Sequence, residues 1–204
     1  MARKEHDAPL PLLGYALLSL LTRASLSGYD MAREMSKPQA FFFGQGHVSQ
    51  IYPELARLEA AGLVSVTVVE QQHRPYKKVY TLSAGGREAL RAWLTEPTPM
   101  SEPRSAFLIK ANCLWLADPV QALVQFRERE RYHQGLLDIW EPELAGIEAQ
   151  YGDAIATLQG PLFGDYVTLM RGVSYERENV AWLRWTITLL ERRLHEQADM
   201  AEEC

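Results

Sequence analysis

Residues 47–80 constrain this chain more than any other stretch. They read HVSQIYPELARLEAAGLV, then SVTVVE, then QQHRP, then YKKVYTL. In the first block Val48, Ile51, Tyr52, Leu55, Leu58 and Leu63 recur at helical spacing, and Gly62 supplies a C-terminal stop. His47, Ser49, Gln50, Glu54 and Arg57 fall nearer the outer face. Val64, Val66 and Val68 then alternate with Ser65 and Thr67, as a half-buried strand requires, and Val79, Tyr80 and Leu82 form the returning strand. His73, Arg74, Lys77 and Lys78 lie between them, so positive charge gathers at the turn. A helix followed at once by a basic β-hairpin is the order of a recognition helix and its wing.

The flanking segments complete such a unit. Leu13, Ala16, Leu17, Leu20 and Leu21 predict a helix over 9–22, with Pro9 and Pro11 before it or in its first turn. SGYDMAREM predicts a second helix, with Ser27 as N-cap and Asp30 three residues on, and Lys37-Pro38 ends it. Phe41, Phe42 and Phe43 follow, and some of them should pack under the next helix, because three exposed Phe would form a sticky patch. After the hairpin, Ser83 caps a helix that turns Leu90, Trp93 and Leu94 inward. TEPTPMSEP has three prolines in nine residues and marks a linker. The expected division is 1–95, a linker over 96–103, and 104–204.

The second half predicts helices only. SAFLIKANCLWLA is apolar nearly all round and should be buried on most sides, Cys113 with it. Asp118-Pro119 is a cap followed by a first-turn proline. From there Leu123, Phe126, His133, Leu137, Trp140, Leu144, Ile147 and Tyr151 hold one stripe through Pro142, interrupted by Glu130. A last helix, from about Asp165 to Ala198, repeats Tyr166, Val173, Val180, Ile187 and Leu194 every seven residues, with Leu169, Glu176, Leu183 and Leu190 between them. A second stripe on it holds Tyr175, Trp182, Trp185 and Leu189. One helix with two apolar faces should be packed on two sides, by its own domain and by a partner subunit.

Net charge is −5, unusual for a nucleic-acid binder, but it is unevenly spread. Residues 1–100 hold 11 Lys/Arg against 9 Asp/Glu, and residues 101–204 hold 10 against 17. The basic surplus is all in the half with the hairpin. Glu5, Asp7 and the lack of a small-residue cleavage site argue against a secretory leader, no apolar run reaches membrane-span length, and two cysteines without metal spacing suit a cytoplasmic location. No phosphate loop, dinucleotide fingerprint, nucleophile elbow or zinc helix is present, since Asp199 stands where a second histidine would follow His195. No enzyme activity, cofactor or metal is expected.

GYDMA, QIYPELARLEAAGLV and RPYKKVYTLSAGGREALRAWL together resemble the PadR-like winged-helix transcriptional regulators over nearly all of 10–95. The second half is similar, less specifically, to the helical C-terminal domain of longer members related to the virulence activator AphA. The resemblance implies a mainly α protein. It would have an N-terminal winged helix-turn-helix with a two- to three-stranded β wing and an all-helical C-terminal dimerisation domain. It also implies a homodimer that mostly represses a neighbouring operon, in some members under a small aromatic effector. Expected contacts to double-stranded DNA at a palindromic operator are His47, Ser49, Gln50, Tyr52, Arg57, Arg74, Lys77 and Lys78, although Tyr52 also suits the core. Tyr166, Leu169, Val173, Val180, Leu183, Ile187, Leu190 and Leu194 are the expected dimer seam, although intramolecular bundle packing fits the same heptads. Trp115, His133, Trp140, Tyr151, Phe163 and Met170 are candidates for an effector pocket, against the plainer reading that they are core. A small-molecule sensor, or a winged helix that contacts only proteins, remains open on the residues alone.

Overall fold

A computed structural model of the chain describes residues 10–37, 48–71, 74–98 and 105–202. They form two compact units, residues 1–99 and 100–204.

The first unit contains α1 (Leu12–Leu21), β1 (Leu26–Ser27), α2 (Gly28–Met35), α3 (Val48–Ala60), β2 (Val64–Gln71), β3 (Arg74–Leu82) and α4 (Ala84–Leu94). Leu17 and Leu18 of α1, Met31 of α2 and Ile51, Leu55 and Leu58 of α3 are buried together, with Val64, Tyr80 and Leu90 closing the same core. Trp93 of α4 stacks on Tyr15 of α1 at 4.3 Å between ring centroids. Leu94, expected inward, is exposed; in that turn it is Trp93 that faces α1, stacked on Tyr15. The three strands are antiparallel in the order β1-β3-β2. β2 pairs from Val64↔Leu82 to Val69↔Lys77, and the register slips before Gln71↔Arg74.

Two local devices fix the helix ends. Ser27 caps α2: its hydroxyl accepts from the Asp30 N–H, and the Asp30 side chain accepts from the Ser27 N–H, a capping box. At the end of α3, Gly62 takes φ +70°, a region costly for residues with a Cβ. The Leu63 N–H then reaches the Leu58 carbonyl at 2.9 Å and turns the chain directly into β2.

The second unit contains α5 (Ala106–Asn112), a 3₁₀ turn (Leu114–Leu116), α6 (Pro119–Tyr151), a second 3₁₀ turn (Gly152–Thr157) and α7 (Pro161–Glu202). α6 continues through Pro142 as one helix, capped by Asp118 on the Val120 N–H. α6 and α7 are antiparallel. Arg127 pairs with Glu191, Glu130 with Arg184, and Glu141 with Arg177, while Tyr166 donates to Glu148. Between these rims lie two apolar clusters. Leu137, Trp140 and Leu144 meet Leu169, Val173 and Val180, and Ala122, Leu123 and Phe126 meet Leu183 and Leu190. His133 and Glu176 form a buried pair, Nδ1 on Oε2, in the same helix–helix interface.

Two sequence expectations need correction here. The seam assigned to a partner subunit is covered by α6 of the same chain. Leu169, Val173, Val180, Leu183 and Leu190 are buried in that interface, and Tyr166, Ile187 and Leu194 pack at its edge. A heptad pattern shows that a helix covers the seam, not which chain supplies that helix. α5 and the turn after it, expected to be buried, have no buried residue, and Cys113 is exposed. Phe107, Ala111 and Leu114 pack against the α6–α7 cluster, and the remaining apolar side chains of α5 and the turn find no such cover within the described residues of this unit.

Candidate nucleic-acid interface

Helical spacing sorts α3 into two faces. Ile51, Glu54, Leu55 and Leu58 are buried; Ser49, Gln50, Tyr52, Pro53, Ala56 and Arg57 are exposed. The exposed face is centred on Ser49, Pro53 and Ala56, one turn apart in succession, with Gln50 and Arg57 on one flank and Tyr52 on the other. Two of the central residues are small and uncharged at their tips, so another surface can approach closely. Pro53 and Ala56 were not among the candidates read from sequence, because recognition arguments favour residues with polar tips; their signal was the phase of the helix. Pro53 is tolerated early in α3, where few carbonyl partners are lost.

Glu54 lies on the buried face rather than the outer one. Its carboxylate sits over Gly14 of α1, where a Cβ would collide with it. It is satisfied by a bidentate fork from Arg57, Nη2 to Oε1 at 2.6 Å and Nε to Oε2 at 3.0 Å. Glu54 holds the Arg57 guanidinium in its charged form. Arg57 is therefore committed to docking α3 on α1 and does not extend freely from the helix. Gly14→Ala should displace this fork and lower the melting temperature by several degrees, whereas Gly85→Ala, at an exposed position where a Cβ meets nothing closer than 3.7 Å, should not lower it in the same thermal scan. Tyr52 is 52% exposed, yet its ring edge lies on Gly28, where a Cβ would stand 2.7 Å from Cε1. It is thus held in place by α2 while its outer surface stays open.

The hairpin departs from the expected arrangement. Lys77 and Lys78 are not on a turn but inside β3, opposite Val69 and Val68. The strands run closer to the tip than the valine alternation indicated, because backbone pairing continues past the last apolar side chain. Both lysines have carboxylate partners: Lys77 Nζ lies 2.9 Å from Asp30 at the start of α2, and Lys78 Nζ lies 3.5 Å from Glu59 of α3. Arg74 opens β3, while His47 and His73 lie outside the described residues, as do Phe41, Phe42 and Phe43.

The Ser27 hydroxyl and then Lys77 hold the Asp30 carboxyl well below its ordinary range, at about 2. A depressed carboxyl stabilises the fold fully above its ordinary value of 3.8 and loses that contribution as pH falls through about 2. Asp30→Asn should cost about 1 kcal/mol, the worth of a cap, across the neutral range. The gap to the unsubstituted protein should close as both are acidified below pH 4; a gap unchanged down to pH 2 in a denaturation series contradicts the assignment.

The proposed effector residues do not converge. Trp115 precedes α6 and Tyr151 ends it, and a 33-residue helix is about 50 Å long, too far for one small-molecule cavity. Trp140 and His133 are buried in the α6–α7 interface with Met170 at its edge, whereas Trp115 and Phe163 are exposed. Aromatic spacing along a helix reported core packing here.

No described helix is long and apolar enough to cross a membrane, and the described residues hold no cluster of metal-ligating side chains.

Comparison with known proteins agrees with this geometry. Residues 17–92 match the Transcriptional regulator PadR-like family, and residues 103–191 match the Virulence activator alpha C-term family. The negative transcriptional regulator PadR of Bacillus subtilis is 28% identical over 187 residues, covering 89% of this chain and 98% of that protein. The crystal structure of Bacillus subtilis PadR with operator DNA superposes with a TM-score of 0.72 at 28% identity, over 88% of this chain and 99% of the other. The structure of the same protein with p-coumaric acid gives 0.63 at 27% identity, over 89% and 99%. The winged helix with its exposed α3 face is therefore a domain of the PadR-like transcriptional regulator family, and the long antiparallel helix pair that follows it in the chain is a domain of the Virulence activator alpha C-term family.

Proposed function

We propose that this chain acts as a homodimeric DNA-binding repressor in the cytoplasm, placing α3 in the major groove and acting by occupancy rather than by catalysis. The observation that carries the reading is the outer face of α3: Ser49, Pro53 and Ala56 are open and uncharged, flanked by Gln50 and Tyr52, with every charge on the helix near them drawn into an internal pair. Ser49 and Gln50 near the N-terminus reach base edges or phosphates, Gln50 having the bidentate geometry for adenine, and Pro53 and Ala56 suit thymine methyls. Tyr52 offers its hydroxyl to the backbone. The chain's likeness to a negative regulator with an operator-bound structure supports both DNA binding and the direction of control.

The second subunit is reassigned to the faces that α6 leaves open. Leu108, Ile109, Trp115 and Leu116 on and after α5, and Tyr175, Trp185 and Leu189 on α7, are exposed apolar side chains. Trp185 and Leu189 share a flank of α7 with Trp182, which packs on Phe107 of α5, so the α7 stripe borders the side of the helix pair that carries α5. Soluble monomers seldom expose a continuous apolar patch of this kind. Ile109→Glu with Trp185→Glu is expected to give a monomer in sedimentation while the helix content of the chain is kept.

A small aromatic effector is the natural input, by analogy with the p-coumaric acid complex of Bacillus subtilis PadR. Binding is tested by titrating DNA from upstream of the chain's own gene at several salt concentrations. A complex whose affinity falls steeply with salt, and exceeds that for random DNA at least 1,000-fold or so, supports the reading. Equal, weak affinity for both favours a winged helix that contacts proteins. Lys78→Ala should weaken binding to both DNAs alike, because it removes a positive charge and leaves Glu59 unpaired beside the outer face of α3.

A further inference from the structure

We infer that Glu54 is a positioning residue for DNA binding: it holds the Arg57 guanidinium as a fixed donor for one backbone phosphate beside the groove that α3 enters. The inference rests on the reading that α3 enters the major groove, and it gives a task to the buried carboxylate of that helix. Glu54 is 8% exposed, over Gly14 of α1. Docking α3 on α1 would be served as well by an apolar side chain, which carries no cost of desolvating a charge. What the carboxylate adds is the fork to Arg57.

A guanidinium carries its N–H groups in one rigid plane. The fork engages that plane through Nε and Nη2, and Nη1 has no hydrogen-bond partner among the described residues. The Arg57 side chain is 44% exposed. The plane is therefore fixed at one edge by a buried carboxylate and keeps unengaged donors at another. A free arginine gives up its rotamer freedom on reaching a phosphate; this one has given it up in folding. Lys77 and Lys78 cannot take the same part, because an ammonium on a flexible stem is a point charge without a plane. Arg57 also stands where such a contact matters. It shares a flank of the exposed face with Gln50, seven residues and about 10 Å away along the axis. Phosphate contacts set register and orientation, while base edges carry the sequence. Arg57 held on one phosphate sets Gln50 and Ser49 against their bases. Glu54 also brings a negative charge near the duplex. Loss of that charge and loss of the fork act on DNA binding in opposite directions, so the two roles can be separated.

Glu54→Gln and Arg57→Lys are compared with the unsubstituted full chain. Each is titrated with DNA from upstream of its own gene and with a random-sequence duplex, at several salt concentrations and below its own melting temperature. Glutamine turns an amide toward the guanidinium and opens the fork. Glu54→Gln should bind the upstream DNA about ten-fold more weakly. It should bind the random duplex as well or better, with a salt slope steeper by about one, because the released cation is open to any phosphate. Arg57→Lys keeps the charge and loses the plane. It should weaken upstream binding about ten-fold with both salt slopes unchanged. It should also stay folded, since lysine can still pair with Glu54 three residues away. Tighter binding of both DNAs by Glu54→Gln would mean that the carboxylate only repels the duplex, and overturns the proposal. A loss shared equally by both DNAs is what a loosened fold gives, and overturns it too. Unchanged upstream affinity in Arg57→Lys does the same, even where Glu54→Gln fails to fold. If the unsubstituted chain does not distinguish the two DNAs, the major-groove reading fails and this proposal with it. If it distinguishes them and both variants bind as it does, only the assignment of Glu54 and Arg57 fails.

Discussion

Glu176→Leu should destabilise the helical unit by about 3–5 kcal/mol, and His133→Leu should cost a similar amount, because each strands a buried polar partner. The two side chains are 6% and 8% exposed and meet only across the α6–α7 interface. The double variant His133→Leu/Glu176→Leu should recover most of that loss. A buried pair replaced by well-packed apolar groups is often neutral or more stable, so the two single costs will not add. Denaturant unfolding at one fixed protein concentration reads all four corners of the cycle, which keeps any contribution from subunit association constant. Additive losses would show that the pair is not a unit. The pair also explains why a polar residue interrupts an otherwise apolar seam. A single polar layer admits one helix register, since sliding α7 by a turn buries Glu176 against leucine. The double variant should accordingly be stable but less specific in its register, which amide exchange along α7 would report.

Ala56→Glu should abolish specific DNA binding, by 100-fold or more, with little change in folding stability. Ala56 is exposed and sits at the centre of the outer face of α3, where a carboxylate would meet phosphates and base edges rather than solvent. Like charges brought together across an interface cost several kcal/mol, while Ala to Glu on an exposed helix surface costs well under 1 kcal/mol. Gln50→Ala should instead lower affinity for one base position and leave random-sequence binding nearly unchanged. If Ala56→Glu binds as the unsubstituted chain does, the outer face of α3 is not the reading surface.

Much of the fold was legible because it is written in local chemistry. Ser27 and Asp30, Gly62, and Asp118 with Pro119 are terminus signals whose partners lie within a few residues, and each acts as its spacing indicates. The valine alternation located β2 for the same reason. What could not be read depends on contacts between distant residues. Glu54 was placed outward because a charge normally faces water, and only the proximity of Gly14 and Arg57 shows why it is buried. Lys77 and Lys78 looked like free wing charges until Asp30 and Glu59, far apart in sequence, came beside them. The heptad seam of α7 signalled burial, and α6 covers it, whereas the apolar residues of α5 and the second stripe of α7 stay exposed within the chain. Whether another helix of the chain or a second chain covers an apolar face is not encoded in periodicity, which is why the seam was assigned to a partner subunit.

Specific binding as proposed needs two copies of α3 presented together to one duplex. Hydroxyl-radical footprinting on DNA upstream of the chain's own gene tests this most directly. The expected pattern is two protected half-sites related by a two-fold axis, with centres one helical turn apart, roughly 34 Å, or a whole multiple of it. Both should disappear together in Ile109→Glu/Trp185→Glu and in Ala56→Glu. A single unsymmetric footprint, or one that survives either variant unchanged, would contradict it.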